Sequence, residues 1–285
     1  MPERDGYIPG VPCWVDCSQP DPQAAARFYS GLYGWEVEDV MPEGAGGSYF
    51  MGRIRGGDVG GIGPMPDEVA ARACWNTYVW VDEADAVADT ARRSGGAATE
   101  PMDVMDAGRT AVLTDPEGAT IMIWQATRHR GSTVVNEHGS VNFNTLATRD
   151  LDRAKAFYGA VFGWQTLALP SGITWTLPTY GDHLEESTPG LREQMAQMGA
   201  PAGFIDVVAA VEPIADDNST MPAQWAVTFG VDDVDVTVAK ARELGGTILT
   251  PPHDVPWSRQ AVIADPQGAT FVVSQFVPEN KDLVA

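Results

Sequence analysis

Apolar and polar positions alternate along this chain with two periods in turn, and the succession repeats in the same order. Apolar runs at 11–17 and 139–147 read as strands, each followed by an Asp-containing turn and a helical pattern. In the first, Pro20-Asp21-Pro22 predicts Asp21 as N-cap and Pro22 at the first helical position; Asp150 opens the second in the same role. Gly34-Trp35 and Gly163-Trp164 then stop these helices and start new strands, as glycine just past a helix does. A strand at 75–81 leads through Asp82 to a helix over 83–94 that ends at Gly95-Gly96. Its partner is a strand at 225–231, then Asp232-Asp233, a helix over 234–244 and Gly245-Gly246. Two further strands follow in each case, joined by Asp-Pro-x-Gly turns at 115–118 and 265–268.

The repetition reaches individual residues. Ala26-Arg27-Phe28-Tyr29-Ser30-Gly31-Leu32-Tyr33-Gly34-Trp35 returns as Ala156-Phe157-Tyr158-Gly159-Ala160-Val161-Phe162-Gly163-Trp164, and Asp115-Pro116-Glu117-Gly118-Ala119-Thr120 returns as Asp265-Pro266-Gln267-Gly268-Ala269-Thr270. Such self-similarity fixes equivalent positions before any motif is read. It predicts an α+β chain of four βαβββ units in two tandem domains: 1–127, a polar linker at 128–138, 139–277, and a short tail at 278–285. The stretch from Trp164 to Trp225 is 21 residues longer than its counterpart from Trp35 to Trp75. There Leu191, Met195 and Met198 recur at helical spacing, so the excess reads as a helix over a pocket mouth or as a decorated loop.

Length and composition suit this reading. A chain of 285 residues has room for about two domains, and 44% hydrophobic with 20% charged residues is ordinary for a globular protein. No apolar run approaches the ~18–20 residues that span a bilayer. The polar N-terminus lacks a signal-peptide layout, so a cytoplasmic location is expected. A net charge of −21, spread over both halves, disfavours a nucleic-acid partner, which needs clustered Lys and Arg. It either serves solubility or draws a cationic small molecule towards an acidic cleft. Cys13, Cys17 and Cys74 form no recognised zinc or redox spacing and read as free thiols.

The strand-Asp-helix-Phe-Tyr-x-x-x-x-Gly-Trp segments, the Asp-rich strand ends and the paired Asp-Pro-x-Gly turns resemble the vicinal-oxygen-chelate superfamily of glyoxalases, extradiol dioxygenases and bleomycin-resistance proteins. They recur over about 11–125 and 139–276, nearly the whole chain. Within that superfamily the look is that of tandem two-domain actinobacterial proteins labelled glyoxalase-like or hydroxylase. The resemblance implies that each pair of units curls into a half-open cup. It also implies a divalent metal held there by a His-His-Glu set in the family's enzymes. At the matching positions stand Trp14, Trp75 and Met122 in the first domain, and Phe143, Trp225 and Val272 in the second. None is a plausible ligand, so neither metal nor other cofactor is expected. His129, His138, His183 and His253 fall in linkers or loops without i, i+4 pairing and read as solvated.

Residues in phase with the lost ligands should line the cups: Trp14, Asp16, Trp75, Thr77, Met122 and Trp124 in the first, Phe143, Thr145 and Trp225 in the second. Such walls suit planar aromatic or cationic guests, or else the aromatics simply fill the cups as core. Asp16 is the one charged residue in phase, and its carboxylate should be hard to ionise if buried. The leading expectation is metal-independent binding or handling of an aromatic, in one version cationic, small molecule of biosynthesis or antibiotic resistance. A cofactor-free enzyme on a polyketide-like substrate, with Asp16 as general acid or base, is the alternative. A metal-dependent dioxygenase or lyase using His183 or His253 is a third. Association of two chains into a homodimer is left open.

Overall fold

The computed structural model describes residues 4–42, 44, 46–65, 72–169, 171–215 and 221–283. The first domain contains β1 (Pro12–Gln19), α1 (Pro22–Tyr33), β2 (Glu36–Asp39), β3 (Phe50–Ile54), β4 (Gly57–Pro64), β5 (Cys74–Trp80), α2 (Ala84–Arg93), β6 (Ala97–Ala98), β7 (Met102–Val104), β8 (Gly108–Thr114) and β9 (Thr120–Ala126). The second contains β10 (Val141–Thr148), α3 (Leu151–Phe162), β11 (Gln165–Leu169), β12 (Gly172–Thr176), α4 (Tyr180–Ser187), α5 (Leu191–Gln197), β13 (Val207–Pro213), β14 (Gln224–Gly230), α6 (Val234–Glu243), β15 (Thr247–Val255), β16 (Ser258–Ala264) and β17 (Thr270–Phe276).

The first sheet has the order β2-β3-β4-β1-β5-β9-β8-β6, with β7 also on β8; the second has the order β11-β12-β13-β10-β14-β17-β16-β15. In both, the two units meet at one central antiparallel pair, β1 with β5 and β10 with β14, flanked by parallel pairs. Each sheet curls into a half-barrel cup, as the family resemblance implies. The caps form where expected. Asp21 accepts from the Ala24 N–H at 2.9 Å, Asp150 from the Arg153 N–H at 2.9 Å, and Gly34 and Gly163 take the left-handed φ values of 72° and 73° that end each helix.

Helices α1, α2, α3 and α6 lie on the outer faces of the cups, where each domain completes the other. One core joins the second unit of the first domain to the first unit of the second; the other joins the two remaining units. At the centre of one core, the Tyr29 hydroxyl accepts from Trp75 Nε1 (2.9 Å) and donates to Asp265 Oδ2 of the other domain (3.0 Å). The mirror arrangement has Tyr158 accepting from Trp225 Nε1 (2.9 Å) and donating to Asp115 Oδ2 (3.0 Å). The Asp-Pro-x-Gly turns can make these contacts because the other carboxylate oxygen is taken up internally. Asp265 Oδ1 accepts from the N–H groups of Gln267 and Ala269, and Asp115 Oδ1 from those of Glu117 and Ala119, all at 2.9 Å. The residue inside each turn then reaches the opposite helix start. Gln267 accepts from the Asp21 N–H at 2.7 Å, and Glu117 accepts from the Thr148 hydroxyl and the N–H groups of Arg149 and Asp150. A carboxylate there is favoured by the helix dipole. Trp35 and Trp164 add indole bonds to the backbone of Gly139 (2.8 Å) and Gly10 (2.7 Å), again across the domains.

The segment read as a linker is bonded to the first domain, with Ser132 N–H donating to Cys13 O at 2.8 Å and Thr133 N–H to Asp58 O at 2.9 Å. Among the described residues no helix is long and apolar enough to cross a membrane.

The Tyr29→Phe variant leaves the Trp75 N–H without its acceptor and Asp265 short of a donor, both buried. We expect it to lose about 1–3 kcal/mol of unfolding free energy in denaturant titration, with Tyr158→Phe losing a similar amount; a change within error for both would remove the hub from this account.

Candidate functional site

Ladder partners share a face of the sheet, so the register decides what each cup contains. In the first domain Trp14 pairs with Tyr78 and Asp16 with Asn76 across β1 and β5, while Tyr78 pairs with Met122 and Trp80 with Trp124 across β5 and β9. The cup face therefore carries Trp14, Asp16, Asn76, Tyr78, Met122 and Trp124. Trp75 and Thr77 fall on the opposite face, which corrects the phase expected for β5. Trp75 is in the interdomain core, and the Thr77 hydroxyl donates to Asn144 Oδ1 of the second domain at 2.8 Å. The same shift applies to β14. Phe143 pairs with Thr228 and Thr145 with Ala226, which puts Trp225 in the other core, hydrogen-bonded to Tyr158. The reason is physical: the two tryptophans are spent on the tyrosine hub that joins the domains.

The first cup is filled by its own side chains. Asp16, only 8% exposed, accepts from Asn76 Nδ2 (2.8 Å), the Tyr78 hydroxyl (2.8 Å) and the Tyr49 hydroxyl (3.2 Å). Burial raises its pKa above the ordinary carboxylate value, against the pull of these three donors. Trp14 is buried, donates to the Tyr49 hydroxyl at 3.1 Å and meets the His129 ring edge-on at 4.4 Å. Trp124 donates to the His129 carbonyl at 2.8 Å and lies 6.2 Å from Tyr78. His129 was expected to be solvated; its side chain is instead 15% exposed, its Nε2 is buried without a partner, and burial lowers its basicity despite Asp58 at 3.8 Å. The linker reading hid this, because nothing in the polar run 128–138 marks one histidine as inward-facing. Tyr49, at the end of the β2–β3 turn, was likewise not anticipated.

The second cup is lined differently. Its floor carries Phe143 and Thr145 on β10, Ala226 and Thr228 on β14, Val272 and Ser274 on β17, and Ala210 on β13, which pairs with Thr145. Phe143, Thr145, Ala210, Ala226 and Val272 are all half-buried although they sit mid-sheet, so this face is not covered. Thr228 and Ser274 are buried, and with Thr145 they turn hydroxyls into the cup that have no hydrogen-bond partner among the described residues. At the rim Phe276, 62% exposed, stacks on Trp257 with centroids 6.2 Å apart. The 21-residue excess forms α4 and α5 and a 3-10 turn at Phe204–Asp206. Just beyond α5, a Cβ built on Gly199 would lie 3.7 Å from Trp257 on the far arm of the sheet, so this segment reaches towards that arm. Leu191 is buried and Met195 half-buried, while Met198 is exposed.

Two family models cover the chain, "Glyoxalase-like domain" over residues 14–124 and "Glyoxalase/Bleomycin resistance protein/Dioxygenase superfamily" over 140–273. Relatives match from end to end. "Putative glyoxylase CFP32" of Mycobacterium tuberculosis is 38% identical over 284 residues, which is 98% of this chain and all of that protein. The chain belongs to the glyoxalase/bleomycin-resistance/dioxygenase superfamily. "Anthracycline biosynthesis protein DnrV" of Streptomyces peucetius is 34% identical over 282 residues, covering 94% of both chains. Among solved structures, the Mn(II)-bound glyoxalase of Novosphingobium aromaticivorans superimposes with a TM-score of 0.58 at 14% identity, covering 94% of this chain and 82% of that one, a likeness of fold.

The family's metal was tested against the donors present. Of the cup-facing floor residues on β1, β5, β9, β10, β14 and β17 named above, Asp16 alone is a common ligand type, and its oxygens are engaged by neutral donors. Among the described residues no three His, Cys, Asp or Glu side chains come together as a metal site, His183 and His253 included. These residues do not fit a divalent metal.

The raised pKa of Asp16 has a sign. Its charged form is disfavoured in the folded chain, so folding stability should fall as pH rises through the raised value and recover as pH drops towards the ordinary carboxylate range. Unfolding free energies of wild type and Asp16→Asn across that window are expected to diverge with rising pH in favour of the variant; parallel curves would show that Asp16 is not the titrating group.

Proposed function

We propose that this protein binds a flat, polyhydroxylated aromatic small molecule in the cup of its second domain, without a metal. The observation that carries this reading is the uncovered floor with three hydroxyl side chains, Thr145, Thr228 and Ser274, that bond to no other side chain or backbone group among the described residues. A hydroxyl on an open floor can exchange solvent for a ligand oxygen, and several together fix the ligand's orientation. Phe143 offers a ring face within the cup, and the Trp257–Phe276 pair offers an apolar ledge at its mouth. The floor residues are uncharged, so the part of the ligand held there is neutral. The net charge of −21 favours a cationic substituent left in solvent.

The relatives point to the same chemistry. The 34% identical proteins of Streptomyces are named for anthracycline biosynthesis, and a fused polycyclic aromatic bearing ring oxygens matches a floor of hydroxyl and apolar groups. Sequestration of such a compound, or its presentation to an enzyme, needs no reactive group in the cup. Asp16 stands outside this reading as acid or base, because both its oxygens are occupied within the first cup.

Titration calorimetry with 1,8-dihydroxyanthraquinone tests it. Ala226→Trp places a large ring on the floor of the second cup and is expected to weaken binding by about tenfold or more, whereas Met122→Leu in the first cup should leave it within about twofold. Equal affinities for wild type and Ala226→Trp would reject the second cup as the site.

A further inference from the structure

Tyr49 fills the first cup without belonging to its floor. Its backbone sits at the outer β2–β3 hairpin, where its N–H donates to Asp39 Oδ1 at 3.2 Å and its carbonyl accepts from the Val40 N–H at 2.9 Å. From there the half-buried ring reaches inward over β4. Beneath it β4 has glycine at 61 and 63. A Cβ at Gly61 would lie 2.0 Å from the Tyr49 hydroxyl, and one at Gly63 would lie 2.8 Å from the ring. Neither glycine has a left-handed φ, so the backbone does not require them; the space for a ring does.

The hydroxyl is bound from below rather than from its own hairpin. It accepts from Trp14 Nε1 at 3.1 Å and donates to Asp16 Oδ2 at 3.2 Å, both on β1. This is the full complement a phenol can use: a donor for its lone pair and a strong acceptor for its proton. Asp16 is an expensive group to keep for structural purposes. It is buried, its partners are neutral, and among the described residues it forms no ion pair. At the equivalent place the second domain has Thr145, so the fold does not demand an acid there.

We infer that the first cup is a recognition site for a phenolic hydroxyl, held in this structure by the chain's own Tyr49. An external phenol takes the place of the ring over Gly61 and Gly63, donates its O–H to Asp16 and accepts from the Trp14 N–H, while Tyr49 turns out towards solvent. The guest is a monocyclic phenol or the phenolic edge of a larger aromatic, because the space corresponds to one ring. Tyr49 acts as an internal competitor, which lowers the apparent affinity of the wild-type chain for such a guest. The second cup plays no part in this, and any binding there is common to all variants below.

The full chain carrying Tyr49→Ala is titrated with 4-methylphenol and with toluene by calorimetry, beside wild type and the double variant Tyr49→Ala/Asp16→Asn. Tyr49→Ala is expected to bind 4-methylphenol about tenfold more tightly than wild type does, and about tenfold more tightly than it binds toluene, as a hydrogen bond to the Asp16 carboxyl implies. The preference over toluene should be lost in the double variant. Equal binding of toluene and 4-methylphenol by Tyr49→Ala would mean an apolar hole and no phenol site, and no gain over wild type would likewise overturn the inference. Should Tyr49→Ala fail to fold, Tyr49→Phe replaces it. Its ring no longer competes for Asp16 and Trp14, so binding of 4-methylphenol about threefold or more tighter than to wild type is expected, and equal affinity refutes the site.

Discussion

Two buried phenols tie this molecule together. Tyr29 and Tyr158 each take an indole N–H from their own domain and give a proton to an aspartate of the other, Asp265 and Asp115. Because each contact is matched by its mirror image, the two domains close on one another as an isologous pair would, within a single chain. Neither domain has a complete core of its own, since each of the two cores draws on both. The outer faces of both sheets are consumed in this way. Only the concave faces remain for anything else the protein does.

On those faces the same scaffold has been put to opposite uses. The first sheet carries Trp14, Asp16, Asn76, Tyr78 and Met122 where the second carries Phe143, Thr145, Ala226, Thr228 and Val272. Large side chains, together with Tyr49 over a glycine floor and His129 from the interdomain segment, close one cup around a buried carboxylate. Small apolar and hydroxyl side chains leave the other uncovered, with the segment between α5 and β13 reaching towards Trp257 on its far arm. Metal chemistry has no donor set in either floor. What distinguishes the cups is therefore volume and hydrogen-bonding capacity, the properties that decide which organic guest can enter.

The repeat, the helix caps and the turns could be read directly from the chain because each is local. Asp21 and Asp150 cap their helices through bonds spanning three residues, and Gly34 and Gly163 are required by the backbone angle at one position. Of the positions matched to the family's metal ligands, Trp14, Met122, Phe143 and Val272 do lie on the cup face, while Trp75 and Trp225 do not. Trp14, Asp16, Met122, Trp124, Phe143 and Thr145 were assigned to the cup face correctly, from alternation along single strands. Trp75, Thr77 and Trp225 were not, because alternation gives two faces without saying which is concave. That choice is made by the pairing of Asp16 with Asn76 and of Thr145 with Ala226.

By itself, then, the amino-acid sequence determined the four-unit architecture, the starts and stops of the repeated helices and the chemical character of each strand. These depend on interactions within a few residues or on a periodicity that a single chain displays. The tertiary structure decided which cup is full and which is open, that Tyr49 and His129 enter the first, and that two tryptophans serve the domain junction. Each of those outcomes rests on side chains meeting from segments dozens of residues apart, as when Trp14 meets Tyr49 and His129. No local pattern records such a meeting, because it exists only once the sheet has curled and the second domain has covered its back.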